Sequence, residues 1–144
     1  MAIVYFDASA LVKLVVEETG SEIAADLWHG CDAAVSSRLA YPEVCAALAS
    51  AGRNHDLQPD ALVSSQEHWD ELWAAMRPVE FTARVERVAG RMARIHNLRG
   101  ADAVHLASAL EVGRAEAVVA AWDRRLYAGA VAEGFAVAPA ELLR

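Results

Sequence analysis

With 144 residues, 56% of them hydrophobic, the chain carries enough apolar side chains for a core of its own and is predicted to form a single domain over residues 1–144. Twenty acidic residues against 13 Lys and Arg give a net charge of −7, which argues against a protein that grips nucleic acid through a broad basic surface. Cys31 and Cys45 form neither a CxxC nor a zinc-ligand spacing, so a disulfide or zinc scaffold is not indicated and both thiols are expected to be buried and inert.

"IVYF" at 3–6 is a continuous apolar run of the kind a strand covered on both faces requires, and it ends on Asp7. "ALVKLV" then reads as a short helix that Ser9 could cap. Helical periodicity follows over Ser21–Gly30, Pro42–Ala51, Pro59–Met76, Thr82–His96, Ala101–Val112 and Arg124–Glu133. Pro42 and Pro59 suit a first helical turn, Thr82 suits an N-cap, and Gly30, Gly52 and Gly113 stand where helices would end. Further strands are predicted at "AAVSS" 33–37, "PVEF" 78–81, "AVVAAW" 117–122 and "FAVA" 135–138. Strands alternating with helices predict an α/β fold with a mainly parallel sheet flanked on both faces. No apolar run approaches membrane-spanning length and the first residues lack a basic leader, which predicts a cytoplasmic protein with no membrane partner.

Chemistry in such sheets collects beyond the carboxyl ends of the strands, where strand order reverses. Asp7 and Asp123 each end a predicted strand, and Glu43 and Asp102 each sit in the first turn of a predicted helix. Any one of them is explained by a helix N-terminus, which favours an anion. Four on one rim would repel one another and would take up protons or hold a cation; oxygen ligands without His or Cys select Mg²⁺ or Mn²⁺.

The ordered motifs "DASALVKL", "YPEVCAAL", "RGADAVHLASAL" and "WDRRL" resemble the PIN-domain nucleases, most closely the VapC-type toxins of type II toxin–antitoxin pairs, over Ile3 to about Leu126. The resemblance implies a three-layer α/β/α sandwich with a five-stranded parallel sheet and a metal-dependent endoribonuclease. It assigns the catalytic and metal-binding quartet to Asp7, Glu43, Asp102 and Asp123, with Asp7 and Asp102 as main ligands. It also implies RNA hydrolysis that leaves a 5′-phosphate and a 3′-hydroxyl, a homodimer, and a VapB-like antitoxin that occludes the acid cleft.

Ser9 stands where it can orient Asp7, and Arg99, Arg124 and Arg125 adjoin the acids and can contact phosphate or temper the quartet. His105 follows Asp102 by three residues, yet no histidine pair has ligand spacing, and a satisfied structural side chain is expected. Arg84, Arg87, Arg91 and Arg94 form one stripe, which is either a solvated flank of the core-facing set Val85, Val88, Met92 and Ile95, an RNA track, or a contact for acidic partner residues. Trp69, Leu72, Trp73 and Met76 share a face that is core or partner surface. Two other functions compete. An aspartyl-phosphate phosphatase or receiver domain would need a second acid in "DAS" and a late lysine, whereas Lys13 is the sole lysine. A silent scaffold that only binds RNA or protein would have eroded acids, and all four are present.

Overall fold

The computed structural model describes residues 1–142. Five parallel strands, β1 (Ile3–Phe6), β2 (Ala33–Ser37), β3 (Arg77–Val79), β4 (Ala117–Ala120) and β5 (Ala136–Ala138), form one sheet in the order β3-β2-β1-β4-β5. The register pairs Tyr5 with Val35 on one side and with Val119 on the other. β1 is therefore the central strand, and the chain reverses its direction of travel across the sheet there. Helices cover both faces, giving the three layers that the sequence predicts. Side chains alternate across β1: Tyr5 joins a core with Val85, Met92, Leu106 and Leu126, while Val4 and Phe6 join the opposite core with Leu11, Val44, Leu48 and Trp69. That double burial is why "IVYF" has no polar alternation.

Seven helices complete the chain among the described residues: α1 (Ala8–Val15), α2 (Ser21–Gly30), α3 (Ala40–Arg53), α4 (Pro59–Ala75), α5 (Ala83–His96), α6 (Gly100–Val112) and α7 (Arg124–Ala132). Thr82 caps α5 by accepting the Val85 N–H at 3.2 Å, and Gly113 ends α6 at φ 112°. Several predicted boundaries move for identifiable reasons. α3 starts two residues before Pro42, because a residue in the first turn has no intrahelical acceptor for its N–H and a proline there costs nothing. α3 also runs through Gly52, whose role is space: a Cβ there would come within 2.6 Å of Leu62 on α4. β4 stops at Ala120 because the Trp122 N–H turns away to Ser9.

Three expectations about side chains are corrected. Ile95 is 61% exposed, since Val85, Ala89 and Met92 define the buried arc of α5 and Ile95 lies outside it. Cys31 and Cys45 are free but only partly buried. Ser9 lies inside α1, and the N-cap is Asp7. No helix among the described residues is long and apolar enough to cross a membrane.

Candidate active site

Helices that connect parallel strands run antiparallel to them, so their N-termini gather at the carboxyl edge of the sheet. Asp7 caps α1, Asp123 caps α7, and Glu43 and Asp102 occupy the first turns of α3 and α6. Four helix N-termini thus present partial positive charge to the edge where these acids sit, which tempers the repulsion between them. Asp7 and Asp123 follow the adjacent strands β1 and β4, at the reversal.

Asp7 is the most tightly held of the four. It is 3% exposed, its Oδ1 accepts the Ala10 N–H at 2.9 Å, and the Ser9 hydroxyl lies 2.7 Å from both carboxylate oxygens. Ser9 in turn accepts the Trp122 N–H at 3.0 Å, tying α1 to the segment between β4 and Asp123. Trp122 packs against Gly20, where a positive φ of 95° and a 2.8 Å approach of the indole leave no room for a side chain. Burial raises the Asp7 carboxyl to about 6; His105, Ser9 and the Ala10 N–H pull it down, and Asp123 pushes it up.

Glu43 has a tether that the sequence reading did not foresee. His105, buried within α6, places Nε2 2.6 Å from a Glu43 oxygen and Nδ1 2.8 Å from the Tyr5 hydroxyl. Burial raises the Tyr5 phenol and keeps it protonated. With a neutral ring, both bonds are met when Tyr5 donates to Nδ1 and Nε2–H donates to Glu43. His105 is satisfied, as expected, and its second partner is one of the four acids. The available signal was its position between Val104 and Leu106: a histidine on an apolar helix face needs two polar partners, and Tyr5 lies on the central strand.

Asp102 is half-buried, and its carboxyl is raised first by desolvation and then by Asp123, with Glu43 adding to the same effect. His105 and Arg99 oppose the rise. Asp7, Glu43, Asp102 and Asp123 are therefore linked by mutual charge, Asp123 pressing on both Asp7 and Asp102. Arg99 occupies the N-cap position of α6, exposed beside Asp102, and Arg124 opens α7 directly after Asp123. Among the described residues, no three His, Cys, Asp or Glu stand at a spacing that already encloses a metal ion. The donor set nonetheless fits a hard divalent cation: all four are oxygen ligands, and burial together with the Asp123 charge raises the proton affinity of Asp7 and Asp102, a strain that a bound cation would relieve.

The aromatic set on α4 divides. Trp69 is buried and stacks at 6.0 Å on Tyr41 of α3, with Trp73 tilted against both, while Leu72 and Trp73 are only partly covered.

A family model described as PIN domain matches residues 4–131. Ribonuclease VapC45 and ribonuclease VapC49, both of Mycobacterium tuberculosis, are each 65% identical over 142 residues, covering 99% of this chain and 99% of the relative. The crystal structure of PAE2754 from Pyrobaculum aerophilum superposes with a TM-score of 0.68 at 21% identity, over 94% of this chain and 83% of that one, a likeness of fold.

Proposed function

The chain belongs to the VapC group of the PIN-domain family, and from that premise we propose that it is a Mg²⁺- or Mn²⁺-dependent endoribonuclease, the toxin of a type II toxin–antitoxin pair. The observation that carries the reading is the gathering of Asp7, Glu43, Asp102 and Asp123 at one sheet edge, where Asp123 acts on both Asp7 and Asp102 and Glu43 acts on Asp102.

Asp7, Asp102, Glu43 and Asp123 would hold the ion or ions, which when bound supply the charge that lowers the pKa of a water and offsets negative charge developing at phosphorus. The protein's own part is placement. Ser9 and the Ala10 N–H fix the Asp7 carboxylate, so it needs little reorganisation when a cation arrives. His105 holds one Glu43 oxygen and leaves the other for a ligand. Asp123 spends one oxygen on the Leu126 N–H at 3.0 Å and has the second to offer. Arg99, exposed beside Asp102, would meet a substrate phosphate, as would Arg124 next to Asp123.

The partners that follow are an RNA substrate, a VapB-like antitoxin and a second copy of the chain as a homodimer in the cytoplasm. The partly covered Trp73 and Leu72 on α4 are the apolar anchors available for protein contact. The test is cleavage of total RNA by the purified protein in Mg²⁺, with and without EDTA, beside Asp7→Asn. Cleavage by the wild type that EDTA and Asp7→Asn each abolish supports the proposal. Equal cleavage by wild type and variant, unaffected by chelation, refutes it.

A further inference from the structure

Resting on the ribonuclease reading, we propose that the exposed arginine face of α5 is a track for single-stranded RNA, delivering its phosphates to the acid edge. Residues 84–99 hold five arginines against one acid, Glu86, in a chain that totals −7. Arg84, Arg87, Arg91 and Arg94 are all exposed and fall within about 80° of arc along about 15 Å of helix. Among the described residues no acid pairs with Arg87, Arg91 or Arg94, although acids outnumber bases in the chain.

The direction of the stripe is fixed at both ends. Arg84 pairs with Glu111 at 2.9 Å, which sets the start of α5 beside the end of α6 and makes the two helices antiparallel. The other end passes through Asn97, at φ 52°, and Leu98 to Arg99, three residues before Asp102. The arginines therefore lead from the far end of α6 to the proposed reaction centre. Phe81, 54% exposed, stands just before the N-cap of α5, and Ile95 lies exposed among the arginines nearer the acids. Spaced cations with an aromatic ring at one end are what an unpaired strand requires, since every base offers a face for stacking and every nucleotide a phosphate. An acidic peptide would need an apolar seam beside the charges, and Phe81 and Ile95, at opposite ends of α5, do not make one.

The experiment measures binding of fluorescein-labelled polyuridylate to the Asp7→Asn protein, which removes turnover, across a range of salt. Arg91→Gln/Arg94→Gln is compared with Arg53→Gln/Arg77→Gln, a control that removes two exposed charges elsewhere. The α5 double should weaken binding at least about 10-fold near 0.1 M salt and flatten the log–log salt slope by about 1.4, while the control shifts affinity less than about 2-fold. Phe81→Ala should weaken binding without changing the slope. All these side chains are exposed, so an unchanged melting temperature checks folding. If the two doubles behave alike, or if the α5 double keeps RNA binding and loses only the antitoxin, the track is overturned. If the α5 double fails to bind as expected but the wild-type protein cuts no RNA in Mg²⁺, the track stands and the ribonuclease reading falls.

Discussion

The acid edge and the α5 face handle charge in opposite ways. At the edge, Asp7 is buried, oriented by Ser9 and the Ala10 N–H, and raised in proton affinity by desolvation; Glu43 is tied to a buried His105–Tyr5 pair. On α5, Arg87, Arg91 and Arg94 are solvated and without ion-pair partners among the described residues. Fixed, desolvated groups act where position decides the outcome, because a misplaced ligand costs more than a missing contact. Mobile, hydrated groups act where reach matters and the ligand is long and uniform. Negative charge at the edge and positive charge on the approach make a path with a direction.

The contrast breaks most severely if the edge loses its anchor. Asp7→Asn is expected to lower RNA cleavage by roughly 10³-fold or more while leaving the circular dichroism spectrum unchanged. His105→Ala should act more broadly, since it strands the Tyr5 hydroxyl and frees Glu43. A loss of about 2–4 kcal/mol in urea unfolding, with a 10- to 100-fold fall in cleavage or metal affinity at temperatures where the variant is folded, is the expectation. Tyr5→Phe should give a milder form of both.

The buried charge also predicts how stability depends on pH. A carboxyl whose pKa is raised by folding binds its proton more tightly folded than unfolded. The metal-free protein should therefore gain stability as pH falls from above about 6 toward the ordinary aspartate value, by up to about 3 kcal/mol from Asp7. Asp102, raised in the same sense, contributes with the same sign. Asp7→Asn should remove most of that gain, and Mg²⁺ at neutral pH should raise the melting temperature of the wild type in its place. Thermal unfolding at several pH values, with and without Mg²⁺, measures both. Gly20→Ala, forced against Trp122 at a positive φ, should cost about 1–2 kcal/mol. Ile95→Ser, on the exposed side of α5, should stay within about 0.5 kcal/mol, whereas Met92→Ala on the buried side should cost about 2–5 kcal/mol.

Periodicity was sufficient for the central strands β1, β2 and β4, which are buried on both faces and so do not alternate, and for an amphipathic helix such as α5; the edge strands β3 and β5 and the all-round apolar α6 carry a weaker pattern. It misjudged Ile95, since the arc of a helix that is buried depends on what packs against it. Gly52 read as a helix end because a glycine packed under the Leu62 side chain looks, in sequence, like one that terminates. The position of the four acids at one sheet edge was legible through their place at strand and helix ends. The Tyr5–His105–Glu43 chain was not, because its members are 38 to 100 residues apart and only the fold makes them neighbours. The capping of α1 by Asp7 in place of Ser9 is local: the helix starts at Ala8, earlier than a Ser9 cap would allow, and the Asp7 carboxylate takes the Ala10 N–H.

In the proposed enzyme, side chains from four separate elements serve one divalent ion site. Crystals soaked in Mn²⁺ and measured for anomalous scattering test this directly. The prediction is a peak within bonding distance of the Asp7 and Asp102 carboxylates, with Glu43 or Asp123 completing the shell directly or through water, and no peak there in Asp7→Asn. Mn²⁺ bound only elsewhere, or bound equally by the variant, would contradict it.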